Sequence, residues 1–216
     1  SKRDFKRIAK PLRKFGAHLK LKKNYTLPLT IKGSQNLKPI RYLENKGSAQ
    51  VKSSIIFAGA RTSGRTIIKS KKSRDHTERL FKYLRLPIKL KNKKNFDLIE
   101  VNKVKKIEPL NYKIPADLSS CAFFIALTAL LKDSKLTIKD VNINPTRTAA
   151  LIILRKMGVK ISLVNKKIYK GEQLADICIK SPKILKSINC PTYLNSGAID
   201  ELSLIHISEP TRQVQI

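Results

Sequence analysis

The chain has no tryptophan, one methionine and three cysteines, and only seven phenylalanines and six tyrosines among 216 residues. So few aromatics leave no stacking platforms interleaved with basic side chains, the arrangement that single-stranded nucleic-acid binders use. Cys121, Cys178 and Cys190 are odd in number and lack metal-ligand spacing, which excludes a disulfide framework and a zinc site. Cys121 and Cys178 sit in apolar patterns and read as small core residues, which favours a reducing compartment. Long apolar runs are also missing. The longest, residues 121–131, is too short to span a bilayer, and no signal peptide is visible, so a soluble, cytoplasmic protein without a membrane partner is expected. Acidic residues are scarce: 15 against 46 Lys and Arg, a formal net charge of +31. Such an excess raises nucleic acid as a partner. The basic residues, however, are mostly Lys and run from end to end without clustering. A solvated basic surface that attracts anionic metabolites is the expectation. A basic α/β nucleic-acid-binding module stands as the alternative of another class.

What is present begins with two polar stretches. Ser48-Ala49-Gln50-Val51-Lys52-Ser53 follows an extended segment at 40–43, and Ser73-Arg74-Asp75-His76-Thr77-Glu78-Arg79 follows one strand later. Both read as first turns of helices. A helix opening with Ser-Ala-Gln offers backbone N–H groups, a hydroxyl and an amide to an anion without a bulky side chain in the way. Arg74 adds a planar donor suited to phosphate or carboxylate. Two ordinary N-capped helices are the plain alternative, because Ser and Asp are default caps.

The second feature is a repeat. Lys2-Arg3-Asp4-Phe5, Ser73-Arg74-Asp75-His76 and Thr146-Arg147-Thr148-Ala149 each open a helical pattern. The apolar positions are Ile8, Leu12, Phe15; Leu80, Tyr83, Leu84; and Leu151, Leu154, Met157. Each pattern gives way to an alternating strand, and a second strand follows at 27–31, 96–101 and 175–179. In the preceding half of the unit, strands are expected at 40–43 and 110–114, helices at 48–60 and 119–131, and strands at 65–69 and 135–138. Lys-rich 89–94 reads as a solvated connecting loop. The unit is therefore βαβαββ over about 72 residues, a small α/β module and not a solenoid turn. The helix at 119–131 is apolar nearly all round, which suits burial between modules.

The repeat and its motifs together resemble the 5-enolpyruvylshikimate-3-phosphate synthase (enolpyruvyl transferase) family. The resemblance runs over about residues 1–201. It rests on Lys2-Arg3, Pro11-Leu12-Arg13-Lys14-Phe15-Gly16-Ala17, Leu27-Pro28-Leu29-Thr30-Ile31-Lys32-Gly33 and the two polar stretches. Further on it rests on Asp117-Leu118-Ser119-Ser120, Asn144-Pro145-Thr146-Arg147-Thr148 and Ile199-Asp200-Glu201. It implies an α/β fold of repeated βαβαββ modules, the inside-out barrel of the enolpyruvyl transferases, with most of one of two domains present here. It divides the chain into the second half of a first module (1–33), a complete second module (34–105), a complete third module (106–182), the start of a crossover (183–201) and a tail outside the family pattern (202–216).

The resemblance also implies an activity. The family joins phosphoenolpyruvate to the 5-hydroxyl of shikimate 3-phosphate and releases inorganic phosphate, with no metal and no organic cofactor, and as a monomer when full length. By the match, Ser48, Ala49 and Gln50 are the shikimate 3-phosphate cradle, with Gln50 near both substrates. Arg74 is a further contact to that substrate's phosphate, Arg3 a holder of phosphoenolpyruvate, and Asp200 a substrate contact and the carboxylate that takes the 5-hydroxyl proton. Helix N-termini and Arg side chains suit two anionic substrates, and a carboxylate in a closing cleft can serve as base. Arg147 holds the same repeat position as Arg74 but is expected to be structural. His76 and Lys52 read as supporting or surface groups. A sister enzyme acting on UDP-N-acetylglucosamine shares the fold, and the Ser-Ala-Gln and Arg-Asp-His-Thr-Glu motifs favour the shikimate enzyme.

The sequence departs from the family in places. Asp4 stands where Pro is usual and puts a carboxylate beside Arg3. Gly47 replaces Ala or Ser, Ala116 replaces Gly before Asp117, and Ala149 replaces Gly. Residues 202–216 lack helical periodicity and read as non-family sequence without fold or function. The first module reads as cut at residue 1, and the chain has no initiating Met, so a fragment truncated at both ends, inactive alone, is expected.

Overall fold

The computed structural model of the chain describes residues 4–191 together with Leu194, Ala198 and Glu201. It comprises two compact units, Ser1–Leu110 and Asn111–Ile216. In the first, α1 (Lys6–Lys14) leads into an antiparallel pair, β1 (His18–Leu21) and β2 (Leu29–Lys32). Next come β3 (Arg41–Glu44), α2 (Ala49–Gly59), β4 (Thr66–Lys71), α3 (His76–Tyr83), β5 (Ile88–Asn92) and β6 (Phe96–Val101), a complete βαβαββ run. The sheet order is β3-β4-β6-β5. The β3–β4 pair is parallel, so a crossover must join them, and α2 is that crossover.

The first unit's core lies between α2, α3 and this sheet. Ile55, Ile56, Ile68, Phe81 and Ile99 are buried there, and Ile68 sits opposite Ile99 in the β4–β6 register. Helix α2 approaches β4 closely because Gly59 has no side chain. A Cβ on Gly59 would lie 2.9 Å from the Cβ of the buried Thr66.

The second unit carries α4 (Leu118–Leu130), β7 (Lys135–Asn142), α5 (Ala149–Lys156), β8 (Lys160–Tyr169) and β9 (Glu172–Lys180), with sheet order β7-β9-β8. Ile125, Val141, Leu151, Met157 and Ile177 are at the centre of its core. Alternation in β9 turns Ile177 and Ile179 inward. Cys178 therefore lies half-buried on the opposite face, near the Thr137 hydroxyl, and is not the core residue the pattern suggested. Cys121 is buried.

The repeat is visible in the way its three helices end. Gly16, Arg85 and Gly158 follow them at φ values of +97°, +54° and +99°. Their N–H groups donate to Arg13, Lys82 and Arg155. The next residues, Ala17, Leu86 and Val159, donate to Leu12, Phe81 and Leu154. This is the Schellman arrangement, which turns the chain from helix to strand. Two of the copies share a further clasp. Arg13 donates to the Leu19 carbonyl at 2.7 Å, and Arg155 to that of Ile161 at 3.0 and 3.1 Å.

Three expectations are corrected. Residues 110–114 form no strand; only Ala116 bridges Val141 in parallel. Pro109 and Pro115 flank the segment and lack N–H groups for a ladder, and the Lys113 N–H is taken by the Tyr169 hydroxyl at 3.0 Å. Second, Ser73 and Arg74 precede α3 in a loop instead of opening it, and Phe5 caps α1. Third, Lys89–Lys91 belong to β5, so the connecting turn is confined to 93–95, closed by Lys93 N–H donating to the Phe96 carbonyl at 2.9 Å.

Candidate functional site

The segment leading into α2 is held from beneath by an acid. Glu44, at the end of β3 and buried, accepts the Lys46 and Gly47 N–H groups at 3.0 and 2.8 Å. The Ser70 hydroxyl donates to the same carboxylate at 3.4 Å. Gly47 adopts φ +70°, and a Cβ there would come within 3.1 Å of the Lys72 carbonyl oxygen. The loop before Ser48 therefore lies directly against the loop before Arg74. Burial and the Glu44 charge together push the Tyr42 hydroxyl pKa up.

Ser48 then caps α2. Its backbone is extended and its hydroxyl accepts the Val51 N–H at 3.4 Å, a long bond. The Ala49 and Gln50 amides stand in the first turn, where a helix has no internal acceptor for them. Ser48 and Ala49 are half-buried, and Gln50 and Arg74 are exposed. Asp75 ends the loop ahead of α3, and its carboxylate accepts the Arg79 Nε–H at 2.9 Å.

Two side-chain contacts tie the starts of α2 and α3 together. Lys52 Nζ lies 2.6 Å from Glu78 Oε1, with both side chains buried. The Ser53 and Thr77 hydroxyls are 2.7 Å apart. Burial pushes the Glu78 carboxyl above the usual range, and the Lys52 ammonium offsets only part of that. Lys52, which read as a supporting or surface group, is completely buried.

A cation unremarked in the sequence completes the group. Arg7 of α1 donates from Nη2 to Gln50 Oε1 at 2.5 Å. This fixes which end of the amide faces Arg7 and leaves the Gln50 NH₂ as a donor elsewhere. Asp4, the residue that departs from the family's Pro, spends one carboxylate oxygen on the Lys6 N–H at 2.7 Å. Arg7, Glu44 and the Lys52–Glu78 pair carry no local signature. Their partners lie between 2 and 43 residues away, and a Lys in a chain so rich in Lys looks like surface.

The second unit has a counterpart at the starts of α4 and α5, where Arg147 is paired with an acid. Asp117 caps α4 by accepting the Ser120 N–H, at 3.0 Å. Arg147 donates to Asp117 Oδ1 at 2.9 Å and also to the Ser119 hydroxyl, which in turn donates to the buried Glu201. Partial burial opposes ionisation of Asp117. Hydrogen bonds from Ser120 and the charge of Arg147 outweigh it and hold the carboxyl below its ordinary value.

Ser48, Ala49, Gln50 and Arg74 thus sit on one edge of the first unit, where α2 begins and the α3 loop ends. Arg3, Asp200 and the tail at 202–216 lie outside the described residues. Among the described residues there is no group of three or more His, Cys, Asp or Glu side chains placed to hold a metal ion. No helix among them is long and apolar enough to cross a membrane.

A family model described as EPSP synthase (3-phosphoshikimate 1-carboxyvinyltransferase) matches residues 1–197. Among curated proteins, the 3-phosphoshikimate 1-carboxyvinyltransferase of Endomicrobium trichonymphae is 39% identical over 203 residues, 94% of this chain and 46% of the relative. That of Ruthia magnifica is 42% identical over 209 residues, 96% of this chain and 47% of the relative. The chain spans about half the length of the curated relatives it matches. Among solved structures, EPSP synthase from Acinetobacter baumannii matches with a TM-score of 0.80 and 38% identity, covering 96% of this chain and 46% of that one. The enolpyruvyl transferase NikO from Streptomyces tendae matches at a TM-score of 0.58 and 15% identity over 82% of this chain and 42% of its own, a likeness of fold alone.

Proposed function

Because the chain belongs to the EPSP synthase family, we propose that the whole protein transfers the enolpyruvyl group of phosphoenolpyruvate to the 5-hydroxyl of shikimate 3-phosphate. The observation that carries this reading is local. The start of α2, which carries Ser48 and Gln50, and the segment ahead of α3, which carries Arg74, are tied together by Gly47 against Lys72 and by the Lys52–Glu78 and Ser53–Thr77 contacts. Backbone N–H groups, a hydroxyl, an amide and a guanidinium on these two segments are the donor types that hold a single anion.

In this reading Ser48, Ala49, Gln50 and Arg74 bind shikimate 3-phosphate. Arg7 orients Gln50 so that its NH₂ donates toward the ligands. Arg3 holds phosphoenolpyruvate, and Gln50 touches both substrates. Asp200, itself a contact to shikimate 3-phosphate, takes the proton of the 5-hydroxyl as that oxygen bonds to C2 of phosphoenolpyruvate, while the C2–C3 π bond opens and C3 takes up a proton. Loss of inorganic phosphate from C2 and of a proton from C3 then restores the double bond and completes the transfer. The anionic substrates are drawn in by the basic field of a chain with net charge +31. The module boundaries at 33/34, 105/106 and 182/183, a cytoplasmic location and a monomeric whole protein belong to the same reading.

The experiment is a phosphate-release assay on the whole protein. Release that requires both substrates together, and falls by at least about a hundredfold in Asp200→Asn, supports the assignment. Near-normal turnover in Asp200→Asn removes Asp200 as the base. No release from the wild type removes the function.

A further inference from the structure

The Lys52–Glu78 pair is a poor stabiliser by its own geometry. Both side chains are essentially inaccessible, at 0% and 4% exposure. Withdrawing two charges from water is costly, and mutual attraction offsets the cost only where the remaining donors and acceptors are also met. Here they are not: Glu78 Oε2 has no hydrogen-bond partner, and Lys52 Nζ has only the ion pair. Lys52 also stands in the first turn of α2, where the helix dipole disfavours a cation. Apolar side chains of the same volume would serve the surrounding core of Ile55, Ile56 and Phe81 at least as well.

What an ion pair has and an apolar contact lacks is direction. Lys52 follows Ser48 by four residues, and Glu78 follows Arg74 by four. The Ser53–Thr77 contact lies one residue further along α2 and one residue back along α3, so the two contacts form successive rungs between the first turns of the helices. We propose that Lys52 and Glu78 are positioning residues, which fix the start of α2 against the start of α3 so that Ser48 and Gln50 meet the same anion as Arg74. The inference rests on the reading of Ser48, Gln50 and Arg74 as the shikimate 3-phosphate group. Neither Lys52 nor Glu78 touches the substrate in it.

The test uses the whole protein, with shikimate 3-phosphate as titrant in calorimetry, steady-state kinetics and a thermal melt beside it. Lys52→Met/Glu78→Leu removes both charges and keeps the buried volume. The expected result is a melting temperature at or above that of the wild type, with affinity and KM for shikimate 3-phosphate about tenfold weaker and kcat within about twofold. Wild-type affinity in the folded double variant overturns the inference and leaves the pair a packing feature. Arg74→Ala separates this from failure of the site itself. If Arg74→Ala also binds as the wild type does, the site assignment has failed and the positioning inference falls with it. If only Arg74→Ala weakens binding, the positioning inference alone has failed. Should the double variant not fold, Ser53→Ala/Thr77→Val reads the second rung: binding about threefold weaker supports the inference, and unchanged binding overturns it.

Discussion

Gln50 has a donor end and an acceptor end, and Arg7 occupies the acceptor. With Oε1 held by Arg7 at 2.5 Å, the amide keeps its NH₂ as a donor, the polarity that the proposed contact to shikimate 3-phosphate needs. Arg7→Ala should weaken shikimate 3-phosphate binding about threefold to tenfold by calorimetry, with Arg7→Lys recovering part of the loss. Unchanged affinity would detach Arg7 from the site. At this scale the sequence was informative about residues that carry a motif and silent about those that support it. Ser48, Gln50 and Arg74 announce themselves through small polar residues at a helix start and a nearby guanidinium. Glu44, Lys52 and Glu78 are ordinary charged letters until the fold buries them.

The elements that frame the site depend on close approach and on caps. Gly59 lets α2 lie against Thr66, and Gly59→Ala would gain about 1 kcal/mol in helix propensity but drive its Cβ into a fully buried neighbour. A net loss of about 1–2 kcal/mol is expected by urea unfolding; a gain would mean that α2 can shift without penalty. In the second unit, Asp117 titrates lower in the folded chain than in the unfolded one. Its stabilising contribution is therefore complete above the unfolded value of about 4 and disappears as pH falls through the folded value. Asp117→Asn retains a cap and removes the titration, so it should flatten that part of the acid limb of unfolding. An unchanged limb would contradict the assignment. Periodicity predicted the helices and most strands because each has a strong apolar pattern of its own. It failed at 110–114, where the apolar residues are real but Pro109 and Pro115 deny the ladder its donors. It also began the α3 helix too early, because Ser73 and Arg74 resemble a first turn while the chain uses them as the loop ahead of Asp75.

Taken whole, the chain is a repeating α/β protein whose two described units treat the same position differently. In the first, Arg74 lies exposed beside the start of α2; in the second, Arg147 is engaged by Asp117 and Ser119. Because the chain spans about half the length of its relatives, these 216 residues assayed alone should release no phosphate from the two substrates. Substrate-dependent release would contradict that. A crystal structure of the whole protein with shikimate 3-phosphate decides whether the start of α2 and the loop before α3 form one binding group. The substrate's phosphate is expected within about 3.2 Å of donors from the Ser48–Gln50 turn and of the Arg74 guanidinium together. Substrate bound with neither group within hydrogen-bonding reach would contradict it.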